Sequence, residues 1–184
     1  MEYLDIVDAD GRPTGSSVSR DEAHREGIRH RTAHVWVIRE NGRGYDVLLQ
    51  KRSMDKESFP GLYDTSSAGH IPAGCGPLES ALRELKEELG ISAAPGQLRY
   101  AGSFRIRYEK EFHGRLFRDN EVTWVYVYKE PVDISALCLQ ASEVDEVQWF
   151  DLDTVWAEIQ GESCRFCPPV EGVRVLREYL KLRA

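Results

Sequence analysis

Three carboxylates share one face of a helix predicted near the middle of the chain. Glu84, Glu87 and Glu88 stand at positions i, i+3 and i+4, so helical periodicity brings their side chains together. Like charges at this spacing destabilise a helix that has no cation to hold. Carboxylate oxygens of this kind suit Mg²⁺ or Mn²⁺. Taken alone, the pattern is equally typical of a solvated acidic face on a surface helix.

The opposite face of the same helix is apolar, which favours the metal site. Leucines recur at i, i+4, i+7 and i+11, so this face is predicted to pack on the core and hold the acidic face in one orientation. Pro77 suits the first helical turn and Gly90 suits the stop. The leucines are Leu78, Leu82, Leu85 and Leu89.

The segment from Gly69 to Ile91 resembles the Nudix box, written G-x5-E-x7-R-E-U-x-E-E-x-G-U with U a bulky aliphatic residue. Cys75 departs from the pattern, since the family has a glutamate there that braces the loop and the box arginine. The resemblance implies that this departure affects loop rigidity more than chemistry. Eight of the nine specified positions match, namely Gly69, Arg83, Glu84, Leu85, Glu87, Glu88, Gly90 and Ile91.

Segments outside the box resemble one branch of this family, which includes isopentenyl-diphosphate isomerase and its bacterial hydrolase relatives. The resemblance rests on LLQKR at 48–52, FPGLYD at 59–64 and AGH at 68–70. It covers most of the chain.

The fold predicted for the chain is α/β of the α+β type. With 184 residues and 41% apolar content, the chain can bury a substantial core, and no linker or repeat divides it. We therefore expect residues 1–184 to form a single Nudix domain, in which the resemblance implies a mixed β-sheet sandwiched between helices. Predicted strands are Tyr3–Val7, Val35–Ile38, Val47–Arg52, Leu98–Tyr108, Val122–Tyr128 and Val144–Phe150, and further helices are Asp153–Ile159 and Val173–Leu182.

Net charge and hydropathy limit the kinds of partner and location that are expected for this chain. A net charge of −7 argues against binding of a nucleic acid polymer, because backbone recognition needs a basic surface. The apolar runs are too short to span a membrane. The start of the chain, at 1–5, lacks the pattern of a signal peptide, which predicts a cytoplasmic protein. The expected partner is a small diphosphate, and a homodimer is left open.

Several residues outside the box are candidates for a site. Asp119-Asn120-Glu121 resembles the E-H-E stretch of the isomerase branch, which uses histidines at similar places to bind a second metal. Whether this chain retains such a pocket stays open, and for His34 a capping or core-edge role is favoured. The candidate ligands of the second metal are His24, His30, His70 and Glu121, and either Asp119 or Glu121 is a candidate for a further acid.

Two further motifs have less specific meanings. Lys51 and Arg52 follow a core strand, where contact with a diphosphate and simple solvation are about equally expected, and His70 is a further substrate-binding candidate. Cys164 and Cys167 form a C-x-x-C with no second pair, so ordinary thiols in a reducing compartment are favoured over a zinc or redox site.

The resemblance implies a divalent-metal-dependent hydrolase that cleaves a diphosphate bond, in a nucleoside diphosphate derivative or a similar compound. Glu84, Glu87 and Glu88 are the expected Mg²⁺ or Mn²⁺ ligands, with the carbonyl of Ala68 completing the shell as the family implies. Arg83 is expected to orient a neighbouring glutamate rather than touch substrate.

Two alternatives remain open. The first is an isopentenyl-diphosphate isomerase, whose chemistry in this family uses a cysteine immediately before the Gly-His pair, where this chain has Ala68. The second is a non-catalytic nucleotide-binding domain. Such members normally lose box glutamates, and this chain keeps all three that bind metal.

Overall fold

The computed structural model describes residues 2–161 and 165–181. Along these residues the chain forms, from its start to its end, the strands and helices β1 Tyr3–Val7, β2 Pro13–Ser19, α1 Arg20–Glu26, β3 His30–Glu40, β4 Tyr45–Arg52, β5 Tyr63–Asp64, β6 Ser67–His70, α2 Pro77–Leu89, β7 Leu98–Phe112, β8 Arg115–Tyr128, β9 Val144–Asp151, α3 Leu152–Ile159 and α4 Val170–Lys181.

A seven-stranded mixed sheet forms the middle layer. Its order is β5-β4-β3-β8-β7, with β6 paired to β3 and β9 paired to β4. β3 runs parallel to β8 and antiparallel to β4 and β6. β3 changes neighbour along its length, pairing with β6 over 32–35 and with β4 over 37–40. This change of partner separates the ends of β4 and β6. β1 and β2 form a separate hairpin.

Helices cover both faces of this sheet because β3 carries apolar side chains on both sides. Val35 and Val37 pack in the same cluster as Leu85 and Leu89 of α2. Trp36, which alternates with them, packs on the other face in a cluster with residues of α3 and α4. The predicted sandwich of a mixed sheet between helices is therefore confirmed.

Helix α2 begins and ends at the residues that its sequence predicts. Pro77 occupies the first turn, and Gly90 ends the helix at φ 74°, where its N–H bonds to the carbonyls of Leu85 and Lys86. The leucine stripe faces the sheet, with Leu85 fully buried. Within 2–161 and 165–181, no helix combines the length and apolar character that a membrane crossing requires.

The structure also contains elements that the sequence does not predict. β2 and α1 are absent from the predicted set, because β2 is largely exposed and α1 has only seven residues. β7 and β8 extend well beyond the predicted Tyr108 and Val122, forming a long antiparallel hairpin. Its outer part is mostly exposed and charged, so hydrophobic alternation is weak there.

Candidate active site

Glu88 is a buried carboxylate at the wall of a cavity of about 370 Å³. Its side chain belongs to α2, and the residue is only 3% exposed. Glu88 Oε2 accepts hydrogen bonds from the backbone N–H of Ala68 (3.1 Å) and from Gln50 Nε2 (3.3 Å). Ala68 lies on β6 and Gln50 on β4. Helix α2 therefore places the Glu88 carboxylate in contact with both β4 and β6, the two strands that pair with successive parts of β3.

Glu84 lines the same cavity one turn earlier and packs directly against Gly69. A Cβ atom at position 69 would overlap the Glu84 carboxylate, so only glycine allows this approach. Arg83 donates hydrogen bonds to the Glu84 carboxylate and to the carbonyl of His70 (3.1 Å). Arg83 therefore contacts the neighbouring Glu84, the residue that it is expected to orient.

Glu87 occupies the outer end of the acidic face. Its side chain is 55% exposed, and its Oε2 lies 3.8 Å from Arg83 Nε. Glu87 is not among the residues that line the cavity, whereas Glu84 and Glu88 are. The three carboxylates share a helix face, as predicted, but only two of them are enclosed.

The electrostatic surroundings of the two enclosed carboxylates, Glu84 and Glu88, favour the binding of a cation. Burial, opposed by Arg83, raises the pKa of Glu84. Burial, with a further contribution from the charge of Glu84, raises the pKa of Glu88 to about 8. Two enclosed carboxylates in these surroundings bind protons readily, and a divalent cation would compensate both charges. An all-oxygen donor set fits Mg²⁺ or Mn²⁺.

A second set of ligand atoms lies in the same cavity. One ligand atom from each of His24, His30, His70 and Glu121 lies within 4.8 Å of all the others. His30 Nε2 is 3.5 Å from a Glu121 oxygen, and the Nε2 atoms of His70 and His24 are 3.3 Å apart. These residues come from α1, β3, β6 and β8, so the fold assembles the group from four distant segments.

Two buried polar atoms in or beside this group have no hydrogen-bond partner in the described part of the chain. The Nδ1 of His30 bonds to the carbonyl of Ile28 (2.9 Å), which directs the other ring nitrogen toward the group. Among the described residues, His30 Nε2 and Asp119 Oδ1 are buried without a hydrogen-bond partner. Buried polar atoms of this kind usually bind water or an ion. Three imidazoles and a carboxylate fit a transition-metal ion.

Burial and the contact between His30 and Glu121 set the pKa values of this group. Burial, followed by the nearby His30, lowers the pKa of His24 to about 4. Burial also lowers the pKa of His70 well below its usual value. Although burial acts against it, contact with His30 holds the pKa of Glu121 far below its usual range. His24 and His70 are therefore neutral beside an ionised Glu121, which are states that ligate a metal. Although burial acts against it, contact with Glu121 raises the pKa of His30, so a metal bound there would displace the His30 proton.

Cationic side chains line another part of the cavity. Arg52 Nη1 pairs with Asp64 (3.0 Å), and Lys56 pairs with Glu143. Lys51 lies elsewhere, because alternate residues of β4 point to opposite faces. Its Nζ is 3.8 Å from Glu146, and it is not a cavity residue. Of the two candidates that follow the strand, Arg52 lines the cavity and Lys51 does not, and Lys56 lines it as a second cation.

Among the described residues, Cys75, Cys138 and Cys167 are free thiols. Cys164 lies outside the described residues. Cys167 is half-buried and lines the cavity, a position that its spacing in the sequence does not indicate. Burial and the charge of Asp64 raise the pKa of the Cys167 thiol, so it stays protonated near neutral pH. Cys75 is half-buried against the core under α2.

Substitution of Cys75 tests whether the cysteine at this position of the box affects activity. Because its side chain packs against the core and is not part of the cavity wall, we expect Cys75→Ser to keep kcat/KM close to that of the wild type. Cys75→Glu is expected to keep or modestly raise it. Steady-state kinetics measures both, and complete loss in Cys75→Ser would mark the thiol as catalytic.

Known proteins resemble this chain in sequence and in fold. The NUDIX domain model matches residues 28–165. An uncharacterized Nudix hydrolase of Clostridium acetobutylicum is 38% identical over 152 residues, which cover 83% of this chain and 71% of that protein. An isopentenyl-diphosphate Delta-isomerase of Dinoroseobacter shibae is 32% identical over 162 residues, which cover 88% of this chain and 84% of that protein. A crystal structure from Deinococcus radiodurans matches with a TM-score of 0.71 at 20% identity, covering 94% of this chain and 98% of that one.

A mixed sheet between helix layers, with a carboxylate helix that begins after a glycine loop, defines a protein of the Nudix fold. The matches agree with this class over most of the chain. The chain therefore belongs to the Nudix family, as an enzyme of the pyrophosphohydrolase type.

Proposed function

We propose that this enzyme is a divalent-metal-dependent hydrolase that cleaves the diphosphate bond of a nucleoside diphosphate derivative or a related small diphosphate. The observation that carries the proposal is the enclosed pair Glu84 and Glu88, held beside Ala68 in a cavity that also contains Arg52 and Lys56. Carboxylates alone would repel a diphosphate, so a cation between them is part of the proposal. We also propose that residues 1–184 form one domain.

The ion would be held by the three box glutamates and the carbonyl of Ala68. When bound, Mg²⁺ or Mn²⁺ supplies Lewis-acid neutralisation of charge on the diphosphate oxygens. Arg83 fixes the Glu84 carboxylate by a direct hydrogen bond. The Ala68 N–H and Gln50 hold one oxygen of Glu88.

The remaining steps belong to other side chains of the cavity. Arg52 and Lys56 contact the diphosphate and stabilise its negative charge, and His70 forms part of the substrate wall. A box carboxylate accepts the proton of the attacking water as the phosphorus–oxygen bond breaks. Glu121, with the three histidines of the second group, would hold a further ion in the same cavity.

A panel assay tests this function directly. Purified protein is incubated with ADP, ADP-ribose, other nucleoside diphosphate derivatives and isoprenoid diphosphates, with Mg²⁺ or with EDTA, and ³¹P NMR follows the diphosphate resonances. We expect at least one compound to be converted to monophosphates in Mg²⁺ and none in EDTA. Intact diphosphates throughout the panel, or cleavage that persists in EDTA, would contradict the proposal.

The second candidate is isomerisation of isopentenyl diphosphate. The similarity to the Dinoroseobacter enzyme and the His/Glu group favour it. Against it stands Ala68, whose methyl group has no proton to give to an alkene carbon. Box glutamates are retained, which argues against the non-catalytic alternative.

Proton NMR separates the two chemistries. We expect incubation with isopentenyl diphosphate and Mg²⁺ to give no allylic methyl signals of a dimethylallyl product. Slow release of phosphate from the same compound would agree with hydrolysis. Isomer formation at a rate comparable to nucleotide turnover would overturn the hydrolase proposal, and Cys167→Ala would then test the cavity thiol as the proton donor.

A further inference from the structure

His34 lines the same cavity, although its sequence pattern favours a capping or core-edge role. On β3, its Cα partners are Ala68 of β6 and Val125 of β8. It is only 7% exposed, and it lines the cavity. The register with Ala68 places His34 next to the strand whose N–H holds Glu88.

The hydrogen-bond partners of the His34 ring favour one of its two tautomers. The Nδ1 of His34 is buried and has no hydrogen-bond partner among the described residues. A buried N–H without an acceptor is rarer in proteins than an acceptor without a donor. The ring proton is therefore favoured on Nε2. The ring meets Phe104 edge to face, with centroids 5.7 Å apart, which fixes its orientation.

The charges around the ring have both signs. Burial lowers the pKa of His34, and Arg52 adds to this effect, while Glu121 and Asp64 oppose it. Glu121 and Arg52, whose charges act on the ring, line the same cavity as His34.

Building on the proposed function, we propose that His34 is a substrate-contacting residue whose imidazole donates a hydrogen bond from Nε2 to a diphosphate oxygen. The buried, unpaired Nδ1 and the position of the ring in the cavity wall carry this inference. A hydrogen-bond donor at this position stabilises the bound anion.

Matched substitutions test the donor itself. His34→Phe keeps a ring against Phe104 but removes both nitrogens, and His34→Ala removes the donor without adding bulk. A hydrogen bond to a charged group predicts that both variants lose about 10- to 100-fold in kcat/KM. Because the contact exists in the ground state, the loss should lie mainly in KM. His34→Gln carries an amide nitrogen near the position of Nε2 and should recover most of the loss.

A binding measurement separates this inference from the proposed function. Calorimetry with Mg²⁺ and methylenediphosphonate, which contains no hydrolysable bridge, reports binding without turnover. We expect about tenfold weaker binding in His34→Phe than in the wild type, with His34→Gln close to the wild type. His113→Asn, in the exposed turn between β7 and β8, is the control for loss of an imidazole.

The outcomes are distinct. Equal affinity of wild type and His34→Phe would overturn the role of His34, whatever the hydrolytic activity. A wild-type protein that binds the diphosphonate but cleaves no diphosphate would contradict the proposed function alone. A loss confined to kcat, with a lowered melting temperature and no recovery in His34→Gln, would show a structural role and also overturn the inference.

Discussion

We expect Glu88→Gln to lower kcat/KM for a hydrolysed diphosphate by about 10³-fold, equivalent to about 4 kcal/mol. Gln preserves the side-chain volume and the oxygen that accepts the Ala68 N–H, but it removes the charge that would hold the ion. Steady-state kinetics at saturating Mg²⁺ measures the effect. Glu84→Gln and Glu87→Gln should act in the same direction.

The same substitution should leave the fold intact. Burial raises the pKa of Glu88 to about 8 in the folded protein, against an ordinary value of 4.5. The folded state therefore binds this proton more tightly than the unfolded state. The free energy of unfolding of the metal-free protein falls as the pH rises from about 4.5 through about 8. The Glu88→Gln variant has no carboxyl group at this position and therefore does not lose this stability. Its melting temperature without metal, above pH 8, should equal or exceed that of the wild type.

Glu79→Gln is the matched control, because Glu79 is an exposed acid in the first turn of the same helix. It should retain wild-type kcat/KM. Wild-type activity in Glu88→Gln, or equal losses in Glu79→Gln and Glu88→Gln, would contradict the assignment of the box carboxylates.

Gly69→Ala is expected to reduce kcat/KM by about 10²-fold with little change in the backbone. The φ of Gly69 suits any residue, so the cost arises from the new methyl group. That methyl would overlap Cδ and Oε1 of Glu84 and displace the carboxylate. Displacement of a positioned catalytic group by about 1 Å costs on this order. Kinetics and circular dichroism together measure activity and fold.

Gly44→Ala is the control for the loss of a glycine. Gly44 lies in the turn between β3 and β4, and a Cβ there meets no atom within 4 Å. It should behave as wild type. Full activity in Gly69→Ala would show that Glu84 has no fixed position in catalysis.

Local signals explain why the box helix is predictable from sequence. The leucine stripe, Pro77 and Gly90 act within one segment, and the structure reproduces the helix as Pro77–Leu89. The hairpin of β3 and β4 is also local, since its two strands are joined by a short turn with glycines. Apolar periodicity and turn residues within each segment therefore predict both the box helix and this hairpin.

Tertiary contacts explain what the sequence does not predict. Glu87 and Glu88 are adjacent, yet only Glu88 is enclosed, because α2 turns it toward the strands β4 and β6. Lys51 and Arg52 are adjacent in sequence, yet only Arg52 lines the cavity, because strand alternation turns Lys51 to the other face of the sheet. His34 and Cys167 reach the cavity through long-range packing, for which no local pattern exists.

Anomalous diffraction from crystals grown with Mn²⁺ tests the central claim most directly. The ion should bind where the enclosed carboxylates are, so we predict an anomalous peak within bonding distance of the oxygens of Glu84 and Glu88. A second peak among His24, His30, His70 and Glu121 would agree with a further ion in the same cavity. Peaks at the histidine group alone, with none at Glu84 and Glu88, would contradict the account.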